Sequence, residues 1–314
     1  MRRHPLVLLL LLLCGALWGA TAEVDRYADL TRSSATDGKV VFYFIDLDVP
    51  KDSPDKSGDA TLVVAPDGAT MLIDCGHPAS GRDVVDLLHA LGLTRIDVFV
   101  NSHPHIDHLG AFPEVTDAVD IGQVFRTRLE YHTRYTRAFA DTVEKKRIPL
   151  GYLADGDAFD LGGQVHVEVL GPAQGDINPP SGQLDTACIN NSSMVLRITY
   201  GDSVALFAGD LYRSGEQEVL EKHPDKLKAD LAKADHHGID TSNILPWVKA
   251  VRPTVVVAMN DVMGSMSVYK SYLKRGATFY HTNFNGLVKV EMGKNHDLAV
   301  ETQYDSWVEK GGQQ

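Results

Sequence analysis

One run, Ser102-His103-Pro104-His105-Ile106-Asp107-His108-Leu109-Gly110, constrains this chain more than any other feature. It follows the apolar stretch Ile96 to Asn101, which reads as a buried strand, so four ligand-type side chains sit where a strand gives way to a bend. Residues two apart in an extended segment face the same way. His103 and His105 can therefore share one cation, whereas Asp107 and His108 fall past the bend toward a second.

Two later stretches offer further donors. Val204 to Ala208 reads as the second strand of a hairpin and runs into Gly209-Asp210; a carboxylate there can bridge two cations, giving one oxygen to each, as an imidazole cannot. The strand-like segment Ala229 to Ala234 leads to His236-His237-Gly238. One of these histidines is expected to complete the second site, and the other to hydrogen-bond the substrate or protonate its leaving group. Sequence does not say which does which. The expected ligands are thus His103, His105, Asp107, His108, Asp210, His236 and His237, with Asp107, His236 and His237 also the catalytic candidates.

The rest of the chain alternates apolar runs with helical periods and turn signals. Strands are expected at Val40 to Leu47, Thr61 to Ala65 and Thr70 to Asp74; Ser80 can cap a helix ended by Gly92; helices 241–250 and 266–275 enclose a strand at 254–259, and the last strands lie around Asn285-Gly286. Strands first, then strands and helices in alternation, imply an α/β sandwich with its sheets inside. Arg2 and Arg3, an apolar run from Leu6 to about Trp18, and Ala20-Thr21-Ala22 read as a signal peptide over 1–22, followed by a polar linker over 23–38 and one domain over 39–314. Export, periplasmic or secreted, is the expectation, with no stable membrane span after cleavage.

The chain resembles the metallo-β-lactamase superfamily, and within it the hydrolase domain of the ComEC family of DNA-uptake channels and its free-standing secreted relatives. The resemblance rests on Phe44-Ile45-Asp46, Gly58-Asp59-Ala60, Leu72-Ile73-Asp74-Cys75-Gly76, the His103 run, Asn190-Asn191-Ser192-Ser193, Phe207-Ala208-Gly209-Asp210-Leu211 and Asp235-His236-His237-Gly238, which occur in the family's order. It implies a four-layer αββα sandwich and a hydrolase with two divalent metal ions, Zn²⁺ favoured and Mn²⁺ the alternative. It also implies that Asp74 supports the histidines without binding metal, a carboxylate on an imidazole N–H fixing the tautomer. Many members supply a further histidine where this chain has Asn190 and Asn191; an amide there is a second-shell group or a weak, hard ligand. A polar loop from Asp48 to Ser57 is longer than the family's link and is expected to rim the site, and Val262-Met263-Gly264-Ser265-Met266 stands where the family commonly carries a histidine.

Two close cations lower the pKa of a shared water and hold a phosphoryl oxygen, so phosphodiester hydrolysis is the preferred reaction. Hydrolysis of a lactam, lactone or thioester carbonyl is the competing one, and a non-catalytic binding module the third reading. The substrate is expected to be a small molecule or a phosphodiester. A formal net charge of −12, about −14 without the leader, disfavours nucleic acid unless a local basic patch overrides it. Such a patch exists in Arg126, Arg128, Arg134 and Arg137, interleaved with Tyr131, His132, Tyr135 and Phe139; it reads either as substrate-binding or as the solvated face of an amphipathic helix. Cys75 and Cys188, left after loss of Cys14, either pair or stay as free thiols.

Overall fold

A computed structural model describes residues 27–31, 36–179 and 181–305. The expected leader lies outside the described residues. In chain order the strands are β1 (Val40–Phe44), β2 (Thr61–Val64), β3 (Thr70–Ile73), β4 (Arg95–Val100), β5 (Asp120–Arg126), β6 (Leu150–Tyr152), β7 (Ala158–Leu161), β8 (Val165–Gly171), β9 (Val195–Tyr200), β10 (Ser203–Phe207), β11 (Leu231–Lys233), β12 (Val255–Ala258), β13 (Thr278–His281), β14 (Val288–Met292) and β15 (Leu298–Thr302). They form two mixed sheets, ordered β15-β14-β1-β2-β3-β4-β5-β6 and β13-β12-β11-β10-β9-β8-β7.

The strand pattern explains the layers. Along β1 the side chains of Val40, Phe42 and Phe44 enter the core between the sheets, while those of Val41 and Tyr43 pack with Val84, Leu87, Phe112 and Phe139 of the helices outside. Along β10, Ala205 and Phe207 face inward, and Val204 and Leu206 pack with Trp247, Val248 and Tyr272 on the opposite outer layer. Strands buried on both faces are apolar throughout, which is why these segments read as unbroken runs. The result is an αββα sandwich. Phe207 ties the sheets together, stacking on Phe42 and Phe44 at centroid distances of 5.9 and 5.7 Å.

Half of each sheet is parallel: β3 to β6 in the first, β10 to β13 in the second. Parallel strands end on the same side, so the segments after β3, β4, β10, β11 and β12 gather at one edge of the sandwich, where open α/β sheets collect ligands.

Several local expectations need correction. Residues 27–31, placed in the linker, carry a short helix, Ala28–Thr31, with Tyr27 and Leu30 buried in the first core; two large apolar side chains three apart anchor it. Ser80 does not cap the helix Gly81–Ala90 through its side chain, because its hydroxyl donates back to His77 O within a preceding 3₁₀ turn. The helix placed at 241–250 spans Leu245–Val251, since Asn243 takes a left-handed φ of 61°. Around Asn285-Gly286 the chain makes a helical turn and crosses from one sheet to the other. Cys75 and Cys188 are both free thiols.

Replacing Phe207 with alanine is expected to remove about 3–5 kcal/mol of stability, read from urea unfolding, because the inter-sheet stack leaves a cavity neither sheet can close. A loss below about 1 kcal/mol would mean the sheets are not held through this ring.

Candidate metal centre

The edge just described is built around the Asp210 carboxylate. The ammonium of Lys233, buried at the end of β11, donates to Gly209 O at 2.7 Å, lies 3.3 Å from Asp210 Oδ1 and pairs closely with Asp59. Oδ2 of Asp210 is left facing the imidazoles: His237 Nε2 at 3.2 Å, His108 Nε2 at 3.3 Å, His236 Nε2 at 3.8 Å and His103 Nε2 at 3.9 Å. The two oxygens of Asp210 thus have different neighbours. Lys233 occupies one oxygen, and both sides of the site face the other.

Asp107, His108, Asp210 and His237 bring one ligand atom each within 4.8 Å of one another. Both imidazoles are oriented from behind. The Nδ1–H of His108 donates to Asp74 Oδ2 at 2.8 Å, and that of His237 donates to Met259 O at 3.0 Å with Asp59 Oδ1 at 3.1 Å. Their Nε2 atoms are buried with no hydrogen-bond partner. With Nδ1–H held from behind, each ring turns Nε2 toward the carboxylates, the nitrogen a divalent ion would take in place of a proton.

Asp74 reaches the other pair as well. Ser102 Oγ donates to Asp74 Oδ2 at 2.6 Å, so it accepts from His103 Nδ1 at 3.1 Å and leaves His103 Nε2 unprotonated. That nitrogen is 2.9 Å from His105 Nδ1, so the two rings can share one proton or one cation. Asn190 is buried against His105 and Tyr212, its Oδ1 without a partner. Asn191 is not at the site: its Oδ1 accepts from the N–H groups of Tyr212 and Gly215, pinning the turn after Asp210.

Charge gives an independent test of whether these residues fit a metal. Asp59, Asp74, Asp107 and Asp210 are all buried, and Lys233 is the buried ammonium that meets them. Uncompensated buried carboxylates cost several kcal/mol each, so the cluster demands more positive charge. In the metal-free chain the imidazoles must supply it: burial opposes a charge on His237, but Asp210 and Asp59 overcome it and carry its pKa up to about 10, and His108 is raised likewise by Asp210 and Asp74. Divalent ions would meet the same demand. The second buried acidic group, Asp59, Asp74 and His108, is less suited to an ion because Lys233 already pairs with Asp59.

His236 behaves differently from its neighbour. Burial lowers its pKa to about 3 against the pull of Asp210, so it stays neutral; it accepts from Lys56 Nζ at 3.2 Å and has Thr241 Oγ1 at 2.5 Å from Nδ1. Tyr212 packs on its ring at a centroid distance of 4.8 Å. Lys56 comes from the loop Asp48 to Ser57, which does rim the site. Of the four arginines, Arg126, Arg128 and Arg137 line a cavity beside the centre, but Arg134 leaves them to lie over Tyr135.

The backbone is shaped to fit. His236, His237 and Gly238 take φ values of 45°, 56° and 76°, a left-handed run that costs about 1–3 kcal/mol at each non-glycine residue. It is held by the buried Glu216–Asp235 pair, in which Glu216 accepts from the N–H groups of Asn243 and Ile244, and burial with Glu216 alongside keeps Asp235 protonated well above the usual range. Gly264 lies against the backbone of His237 and Gly238, where a Cβ would come within 2.9 Å of His237 O. Gly58 lets its strand end press on Asp107: a Cβ there would sit 1.7 Å from Asp107 O.

Sequence reasoning gave no role to Lys233, Asp59, Lys56 or Glu216. A lysine inside the apolar run Leu231-Ala232-Lys233-Ala234 was the available signal for the first.

Comparison with known proteins agrees with this architecture. Residues 54–258 match the family described as the metallo-β-lactamase superfamily. Among curated proteins, competence protein ComA of Neisseria gonorrhoeae is 25% identical over 230 residues, 71% of this chain and 29% of that protein, and ComE operon protein 3 of Bacillus subtilis is 27% identical over 217 residues, 64% and 26%. The chain thus matches less than a third of the length of these relatives. The metallo-β-lactamase fold protein YhfI of Bacillus subtilis superposes with a TM-score of 0.50 at 13% identity, over 77% of this chain and 95% of that one. Among the described residues no helix is long and apolar enough to cross a membrane. With the matched stretch running from the Asp48 to Ser57 loop through β12, the chain belongs to the metallo-β-lactamase superfamily, whose members are largely metal-dependent hydrolases.

Proposed function

We propose that the chain is an exported phosphodiesterase that works with two divalent metal ions. The observation that carries this reading is Asp210 Oδ2, a single carboxylate oxygen faced by four imidazoles, with Asp107 alongside and a lysine at the mouth. Asp107, His108, Asp210 and His237 would hold one ion; His103, His105 and Asp210 would hold the other, with Asn190 beside it. Zn²⁺ is favoured at the nitrogen-rich set, and the poorer pair is the better place for Mn²⁺. Export rests on the leader over residues 1–22.

Bound there, two cations supply the charge that ionises water near neutral pH and offsets the charge growing on a phosphoryl group. The chain's own residues do the rest. Asp74, Asp59 and Met259 O hold the Nδ1–H groups of His108 and His237, so neither ring must turn to present Nε2 to an ion. His236, neutral and in contact with Lys56 of the rim loop, is placed to hydrogen-bond a substrate oxygen, and Lys56 to bring an ammonium to the same side. A fixed cation on the open side suits an anionic phosphodiester better than a neutral lactam or lactone, which is what orders the two reactions.

Turnover of bis(p-nitrophenyl) phosphate, a chromogenic cephalosporin and a lactone, each with Zn²⁺ or Mn²⁺, tests the ordering. The phosphodiester is expected to be the preferred substrate, and hydrolysis of only the cephalosporin would overturn it. Asp107→Ala and Asp210→Ala should each cut kcat/KM by roughly 10³-fold and lower the metal content measured by plasma emission, since both remove a charged donor. Wild-type metal content and turnover in the doubly substituted chain would sink the proposal. Lys56→Ala should cost roughly 10²-fold in kcat/KM on the phosphodiester with metal content unchanged; an unchanged rate would remove Lys56 from the site.

A further inference from the structure

Beside the centre the surface opens into a cavity of about 830 Å³, lined by Arg126, Arg128, Tyr131, Arg137 and Tyr152 among others. The end of β5, the loop after it and the first turns of the helix Arg134–Lys146, whose N-terminus Thr133 caps with a reciprocal Thr136 bond, form one part of its wall, and Tyr152 of β6 with residues 174–178 form the rest. Arg126 is fixed in place, its guanidinium donating to Thr127 O at 3.1 Å and Leu129 O at 2.7 Å. Arg126 and Arg128 lie 6.0 and 4.9 Å from the centroid of the same Tyr152 ring, so two cations share one aromatic ring.

The remaining donor capacity faces the cavity. Arg82 and Arg95 elsewhere on the surface pair with Asp86 and Asp97, but among the described residues neither Arg128 nor Arg137 forms an ion pair. Two carboxylates, Glu130 and Asp176, also line the space. Asp176 is engaged, accepting from the backbone and side chain of Asn178 at 2.9 and 2.8 Å. Three guanidiniums against two carboxylates leave this cavity with a surplus of positive charge on a chain of net charge −12. A cavity lined by an excess of one sign draws in ligands of the other.

Tyr131 connects the cavity to the chemistry. It lines the cavity, and its ring meets that of His105 edge to face at a centroid distance of 6.2 Å. A substrate with its reacting phosphoryl group at Asp210 and Asp107 would therefore pass along Tyr131 and place its next portion among the guanidiniums. Guanidinium forks bind phosphoryl oxygens two at a time, and tyrosine faces take planar rings.

We propose that this cavity is a second subsite, which binds a further phosphate of the substrate through Arg128 and Arg137 while Tyr131 packs against the ring system between the two phosphates. The proposal rests on the phosphodiesterase reading, and names the feature of a substrate that would distinguish it from any simple diester: a second phosphoryl group one ring away.

Three substrates separate the parts. Bis(p-nitrophenyl) phosphate has no second phosphate, p-nitrophenyl thymidine 5′-phosphate adds the ring, and its 3′-phosphorylated form adds the second phosphate. The metal-loaded full chain is expected to show a KM roughly tenfold lower for the last than for the second, as two charge-assisted hydrogen bonds allow. Arg128→Gln together with Arg137→Gln, both exposed positions, should abolish that advantage and leave kcat/KM on bis(p-nitrophenyl) phosphate unchanged. No gain from the 3′-phosphate in the wild type, or a gain that survives the double substitution, overturns the subsite. If none of the three is hydrolysed, it is the phosphodiesterase reading that fails, and the subsite is then judged by calorimetry with thymidine 3′,5′-bisphosphate: roughly tenfold weaker binding by the double variant upholds it, and equal binding overturns it.

Discussion

The ion pair between Lys233 and the carboxylates of Asp59 and Asp210 is the interaction on which the site depends. An ammonium buried at the end of a central strand is costly, and only opposite charge within a few ångströms makes it tolerable. Its position decides what Asp210 can do. With Oδ1 turned toward Lys233, Oδ2 is the oxygen that faces the imidazoles. Asp59, held by the same ammonium, in turn orients His237 through Nδ1. One ammonium thus orients the Asp210 carboxylate and, through Asp59, one of the rings beside it.

The fold supplies the convergence. His108, Asp210 and His237 follow β4, β10 and β11, which lie in two sheets, and they meet because the parallel halves of both sheets end at the same edge. Rigid strands bring the backbone near, and strained turns finish the placement. The left-handed run at His236 and His237 turns two adjacent histidines to different tasks, one inward to Asp107 and Asp210, one outward to Lys56 and Tyr212. Such a turn persists only where its surroundings over-determine it, and the Glu216–Asp235 pair with Asn243 behind it does so.

Much of this was legible in the sequence because the donors stand in short runs at strand ends. The double-faced strands, the His103 run, Asp210 and the paired histidines all follow from local pattern. What was not legible lies in contacts that the local pattern does not specify. Nothing local distinguishes Asn190 from Asn191, yet the first faces His105 and the second ties down the turn after Asp210. Arg134 and Arg137 look alike on one helix, yet only Arg137 reaches the cavity, because Tyr135 offers Arg134 a closer partner. Lys56 meets His236 across 180 residues, and the position of an inserted loop cannot be read from its length. The short helix at Ala28–Thr31 was hidden by the polar residues around two apolar anchors.

The two halves of the centre are unequal, and the inequality follows from the residues. Around Asp107, His108, Asp210 and His237 every donor is oriented by a partner outside the set or is itself a buried carboxylate. The other half has two imidazole nitrogens, a share of Asp210 Oδ2, and an asparagine where a third ring would stand. An amide oxygen cannot match an imidazole nitrogen for a borderline-soft ion, so affinity should fall more steeply on the His103 and His105 side than on the other. That weaker side is also the one Tyr131 touches, and through Tyr131 the guanidinium cavity. A phosphoryl ligand bound across both would add its own oxygens where the protein supplies too few donors, coupling occupancy of the poorer half to the presence of substrate.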